Sequence, residues 1–149
     1  MSTELSDRTI IEEVSTVARK MRNLFDVRVR GQSLTVSRAR ALLRIASGHA
    51  INQRELAADL AIETATLVRV IDTLEDQGLI ERRDVAGDRR AKQVVLTEEG
   101  ARVAATLNET VDGICREVLS GISSDDMQAV FNIVQTMSAN ITRGLGGRL

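Results

Sequence analysis

Between residues 51 and 97 the apolar positions change their period. Leu56, Ala57, Leu60 and Ile62, then Leu67, Val70, Ile71 and Leu74, recur at three- and four-residue steps, so each run has one apolar helical face. Asn52 is placed to cap a helix over 53–60, and a second helix is expected over 63–77, closed by Gly78. The residues between them are too few for anything but a tight turn, so the two helices must cross steeply as a helix-turn-helix. Ala61 stands where many such turns place a glycine. Beyond Gly78, residues 79–83 and 92–96 read as paired strands. Asp84-Val85-Ala86-Gly87-Asp88-Arg89-Arg90 is the expected loop between them, with Gly87 free to take positive φ.

The flanks are helical. A stripe of Ile11, Val14, Val17, Ala18, Met21, Leu24 and Phe25 predicts a helix over 8–29, preceded by a largely polar, loose stretch at 1–7 and broken at Gly31-Gln32-Ser33. Thr35 is placed to cap a helix over 36–47 with Ala39, Leu42, Leu43 and Ala46 inward. Ser47-Gly48-His49-Ala50 ends that helix, and Ile51 is expected to add one rung of strand beside the hairpin. Thr97 then caps another helix, with Glu98 and Glu99 at its positive end. Ala104, Leu107, Val111, Ile114, Val118 and Ile122 follow at coiled-coil-like steps. After a break at 121–125, Met127, Val130, Phe131, Val134, Met137 and Ile141 mark a last helix over 126–143, and 144–149 reads as a frayed end.

The fold class is therefore mainly α with a small β-wing, in a single domain spanning 1–149. A winged helix-turn-helix module at 35–97 is flanked by N- and C-terminal helices at 8–33 and 101–143. The end helices can bury their stripes against a second copy, which makes them dimerisation helices of a two-fold homodimer. An intramolecular bundle is the alternative.

A length of 149 residues suits one domain with its own core. No leading apolar run or membrane-length stretch occurs, so a cytoplasmic location is expected, nucleoid-associated when on DNA, with no membrane partner. With two phenylalanines and no tyrosine or tryptophan, platforms for stacking single-stranded bases are not expected. Net charge is −1, but it is segregated. Residues 19–44 carry eight basic side chains against Asp26 alone, residues 82–92 carry five against two, and the chain from Gln93 onward carries four against seven. A basic face on a winged helix is a shape that reads duplex DNA, although any one of these arginines could instead be a solvated helix residue.

The segments LVRVIDTLEDQGLIERR, DRRAK and VVLTEEG, with REVLSGISSDD further on, resemble the MarR family of bacterial regulators and, within it, the SlyA-like branch, over residues 14–141. Asp88-x-Arg90 followed by Leu96-Thr97-x-x-Gly100 is the most specific part. The resemblance implies a homodimeric transcriptional regulator on a pseudo-palindromic operator in double-stranded DNA. It further implies a repressor relieved by a small anionic aromatic or phenolic ligand, though SlyA-like relatives can also activate by displacing other DNA-bound proteins.

The candidate contacts follow from position. Arg69 is the only basic residue of the 63–77 helix and can bridge N7 and O6 of guanine in the major groove; the resemblance places a base-reading arginine there. Thr64 and Thr66 contact phosphate or base edges, or else only cap and solvate the helix start, and Glu63 is expected to point aside. Arg90 is the candidate for a narrow minor groove, and the D-x-R pattern implies that Asp88 orients it. A hairpin-tip ion pair is the alternative reading of these two. Arg89 is the next wing contact, Lys92 meets phosphate, and Ser37, Arg38 and Arg40 grip the backbone. By resemblance, Arg19, Arg22, Arg28 and Arg38 lie near a cleft that takes the anionic effector; surface or phosphate-contacting arginines are the alternative.

Cys115 is expected to be a small core hydrophobe on the inward face of its helix and not a redox sensor. One histidine, His49, and one cysteine cannot build a zinc site or a nucleophile–base pair, so neither enzyme activity, metal nor cofactor is expected. A helical protein–protein adaptor using the winged helix as a binding surface is one rival class, and an enzyme, disfavoured because no carboxylate, histidine or cysteine constellation stands out, is the other.

Overall fold

The computed structural model describes residues 6–32, 34–48 and 51–146, with the side chains at 89–91 outside the described set. The expectations for Ser33, His49, Ala50 and the last three residues therefore lie outside the described residues, as does the behaviour of residues 1–5. The chain divides into two compact units, Met1–Ile114 and Cys115–Leu149.

The first unit opens with α1 (Asp7–Arg30), whose cap Ser6 accepts a hydrogen bond from the Thr9 amide at 3.2 Å. The polar start thus gives way to helix at Asp7. Next comes α2 (Val36–Ala46), capped by Thr35, which accepts from the Arg38 amide as its sequence position implies. The one-rung strand β1 (Ile51–Asn52) runs into α3 (Gln53–Leu60). Asn52 and Glu55 form a reciprocal capping box there, each side chain accepting from the other's backbone amide.

The turn after α3 carries Ala61 in the left-handed region (φ 52°), the one non-glycine residue with positive φ among the described residues. Its amide donates to Ala58 and the Ile62 amide to Ala57, both at 3.1 Å, which satisfies the carbonyls at the helix end. After it, α4 (Thr64–Asp76) ends the same way with glycine in the strained place. Gly78 (φ 70°) donates to Glu75 and Leu79 to Leu74, both at 2.9 Å.

The hairpin is longer than the sequence pattern shows. β2 (Ile80–Val85) and β3 (Asp88–Leu96) continue through most of the segment expected as loop, and only Ala86 and Gly87 (φ 87°) turn the chain. A two-residue turn with glycine at positive φ lets the ladder run on past the apolar residues that mark its base. Near the tip the register slips. Asp84 pairs with Lys92 and Val85 with Asp88, so one step along β2 spans four along β3 and the bulge holds residues 89–91. β1 pairs with the other edge of β3, Ile51 opposite Val94, giving the sheet order β1-β3-β2 and the expected single rung.

Val29, Leu42, Leu56, Leu67, Ile71, Leu74, Ile80 and Leu107 are fully shielded and form one core, with Phe25, Leu34, Val70 and Leu96 against it. The junction with α5 (Glu98–Val118) is held by the Leu96-Thr97-x-x-Gly100 motif. Thr97 Oγ1 accepts from the Gly100 amide at 3.0 Å and donates to the Gly78 carbonyl at 2.6 Å. A Cβ on Gly100 would lie 1.8 Å from the Leu79 carbonyl oxygen, so only hydrogen fits. Gln32 Nε2, just beyond α1, donates to Thr110 of α5 at 2.7 Å.

The second unit holds the end of α5 and α6 (Ser124–Gly144), where the Ser123 hydroxyl accepts from the Asp126 amide. No residue of α6 is buried. Cys115 is exposed, which corrects its expected place in the core. Ile114 is the inward residue of that turn, and the next position lies about 100° further round the helix.

Candidate nucleic-acid interface

The two faces of α4 differ sharply. Leu67, Ile71 and Leu74 seal one face to the core, while Thr64, Ala65, Thr66, Val68, Arg69 and Asp72 stand exposed on the other. Glu63 precedes the helix without a side-chain cap bond, and among the described residues no side chain satisfies the amides of the first turn. Thr64 and Thr66 form no side-chain hydrogen bond among the described residues, and neither does Arg69, whose carbonyl accepts from the Thr73 hydroxyl at 2.8 Å. Thr66 and Arg69 are three residues apart and share a helix face. An unpaired guanidinium on the outward face of a rigidly seated helix, near amides at its positive end, is a surface chemically suited to polyanions.

The hairpin adjoins this helix through one side chain that the sequence pattern does not single out. Arg82, on β2, donates from Nη2 to Asp72 at 2.5 Å and from Nη1 to Glu75, both on α4, and from Nε to Gln53 of α3 at 3.2 Å. Partial burial works against its charge. The hydrogen bond to Asp72 and the charges of Glu75 and Asp72 outweigh that effect and raise its pKa above the ordinary guanidinium value. Arg82 thus ties β2 to both α3 and α4.

Further out, Lys92 pairs with Asp84 across the strands, and Arg83 donates to Glu81 at 2.6 Å. Asp88 is exposed and engaged, while the side chains of Arg89 and Arg90 lie outside the described set. Ser37, Arg38 and Arg40 are half-buried in the first two turns of α2. Arg44 of α2 binds Asp59 of α3 at 2.6 Å and serves the scaffold.

On α1, Arg19, Arg22 and Arg28 are exposed. One surface hollow is lined by Asp84, Val85, Gly87, Asp88 and Lys92, another by Ile45, Ala46, Gly48 and Gln93 to Leu96, and neither lining includes these arginines or Arg38. Among the described residues no cluster of three potential metal ligands occurs, and no helix is long and apolar enough to cross a membrane.

Comparison with known proteins bears on the same segment. The MarR family model matches residues 34–92, from just before α2 into β3. The crystal structure of the transcriptional regulator PA3341 is 31% identical over 90% of this chain and 98% of that one, with a TM-score of 0.83. That of the transcriptional regulator SlyA is 24% identical over 93% and 96%, with a TM-score of 0.76. A Listeria monocytogenes protein named as a MarR family transcriptional regulator, complexed with 26mer DNA, is 21% identical over 94% and 92%, with a TM-score of 0.79. Helix-turn-helix, three-stranded wing and long flanking helices in this order, together with these matches, make the chain a member of the MarR family of transcriptional regulators.

Proposed function

We propose that the protein is a SlyA-like, sequence-specific regulator that binds double-stranded DNA as a homodimer on a pseudo-palindromic operator. Residues 35–97 form the DNA module, and the helices within 8–33 and 101–143 form the dimer. The observation that carries this reading is Arg69, exposed on the outward face of α4 and without a partner among the described residues. In the major groove its guanidinium bridges N7 and O6 of a guanine, with Thr64 and Thr66 beside it. The wing enters the minor groove with Arg90, oriented by Asp88, and with Arg89 next to it. Lys92, held by Asp84 in an exposed pair that costs little to open, turns to phosphate. Ser37, Arg38 and Arg40 hold the backbone on the α2 side.

The homodimer is supported by the end helices. Ile11, Val14, Val17 and Met21 of α1, and Val130, Phe131, Val134 and Ile141 of α6, are exposed at helical spacing. A two-fold pair of such chains presents its recognition helices to two half-sites. Repression relieved by a small anionic aromatic ligand, held through Arg19, Arg22, Arg28 or Arg38, completes the proposal.

The test is fluorescence anisotropy on a duplex that the wild type selects from a randomised pool, against a scrambled duplex, across salt concentrations. Specific binding should weaken linearly in log–log against salt. Arg69→Ala should cost about 1–3 kcal/mol and relax the preference at one position per half-site, and Arg90→Ala should weaken binding with less loss of major-groove preference. Equal, weak binding of every duplex by wild type and both variants would overturn the reading in favour of a protein–protein adaptor.

A further inference from the structure

Helical neighbours of a residue lie three and four positions away, with Cβ atoms about 5–6 Å apart. For Arg69 these are Ala65, Thr66, Asp72 and Thr73, so Asp72 is the one carboxylate on its own helix that is spaced to pair with it. An arginine three residues before an exposed aspartate is within reach of that pair. Here the pair does not form. Asp72 Oδ1 accepts from Arg82 Nη2 at 2.5 Å, and Arg69 has no partner among the described residues.

We propose that Arg82 is a positioning residue for base reading: by holding Asp72 from the wing, it keeps that carboxylate off Arg69 and leaves the Arg69 guanidinium open for DNA. The inference rests on the reading that Arg69 contacts bases. Its physical basis is competition for one carboxylate, whose orientation the bond to Arg82 fixes and whose charge it offsets. The Arg82 guanidinium is fixed by three partners on two helices, Gln53, Asp72 and Glu75, so it holds Asp72 at little further entropic cost. Arg69 would have to order a free side chain to make the same bond. Removing Arg82 releases Asp72 to Arg69, and DNA must then break that pair before it can be read.

Glu75 supplies the control. It too loses its partner when Arg82 is neutralised and carries the same charge on the same helix. It lies six residues from Arg69, off the neighbouring positions. A general repulsion of phosphate by uncovered carboxylates, or a loosened wing, would not distinguish Asp72 from Glu75; capture of Arg69 would.

The experiment measures affinity for the selected duplex with wild type, Arg69→Ala, Arg82→Gln, and Arg82→Gln combined with either Asp72→Asn or Glu75→Gln. Circular dichroism confirms the fold of each variant. Arg82→Gln should weaken specific binding about tenfold; adding Asp72→Asn should restore most of that loss, and adding Glu75→Gln should restore little. Should Arg82→Gln not fold, Arg82→Lys, which keeps the charge but cannot bridge all three partners, takes its place with the same pair of second substitutions. Equal rescue by both, rescue by neither, or no initial loss would overturn the role given to Arg82. If Arg69→Ala itself binds like wild type, the base-reading assignment fails first, so the two failures are distinguishable.

Discussion

The winged module and the terminal helices use the same sequence device, an apolar stripe at three- and four-residue steps, with opposite results in the single chain. In α2, α3 and α4 the stripe is buried: Leu42, Leu56, Leu67, Ile71 and Leu74 are fully shielded, and every helix start but that of α4 is tied by a cap side chain. In α1 only Val29, near its end, is buried, and in α6 nothing is. Val130, Phe131, Ile133 and Ile141 are each more than half exposed. Full burial of such a side chain is worth roughly 1.5–3 kcal/mol, so leaving a little over half of it in water forgoes roughly 1–2 kcal/mol apiece. The module therefore holds its own core, whereas the end helices carry burial that a single chain does not use. Stability of the one should depend on packing within the chain and stability of the other on protein concentration.

The strongest way to break this contrast is at Gly100, where the module meets α5. Gly100→Ala places a methyl against the backbone carbonyl of Leu79, and neither strand nor helix can yield without disturbing the Thr97 cap and the Gly78 turn. The expected cost is about 3 kcal/mol, read by urea denaturation, and it should be the same at every protein concentration because it lies within the chain. A wild-type midpoint would mean that α5 is free to move away from the wing and that the module is less closed than described.

A smaller effect of a different kind is expected on α6. Phe131→Glu with Val134→Glu puts two charges on the exposed stripe while leaving its helix formers and the Ser123 cap untouched. In sedimentation the wild type should run at twice the chain mass. The variant's dimer dissociation constant should rise about 100-fold, equivalent to ~2.7 kcal/mol. Unchanged sedimentation would place the dimer contact elsewhere or remove it.

These regions also differ in how legible they are. Helix starts are local events, so Thr35, Asn52 and Thr97 reveal themselves by lying just before an apolar stripe, and the structure places caps on all three. Ile51 is recognisable as a rung because it is an isolated apolar residue just before a capped helix. The extent of the wing is less visible, since polar residues on an exposed hairpin arm resemble loop until the two-residue turn is known. Arg82 is hidden altogether: its partners lie 7, 10 and 29 residues away, a closeness that only the tertiary fold creates. Cys115 misleads because a near-heptad stripe fixes a face only to within one residue, and Ile114 takes the inward place.

The smallest effect sharpens the contrast inside the module, at the ends of α3 and α4. Both helices close with the same pair of backbone bonds and the same left-handed residue, glycine at Gly78 and alanine at Ala61. A Cβ in that conformation costs about 1–2 kcal/mol, and Ala61 is exposed, so its methyl contributes no core packing in return. Ala61→Gly removes the strain but gives the unfolded chain more freedom, a loss of about 0.4–1 kcal/mol. The balance favours glycine by about 0.5 kcal/mol, a rise in Tm of roughly 1–2 °C. Because the turn is held by the amides of Ala61 and Ile62 and not by the methyl, operator affinity should stay at the wild-type value. A fall in Tm would mean that the entropy of the unfolded chain outweighs the strain. An unchanged Tm with weakened DNA binding would mean that the stiffness of alanine at this turn, and not the hydrogen bonds around it, holds α4 at its angle to α3.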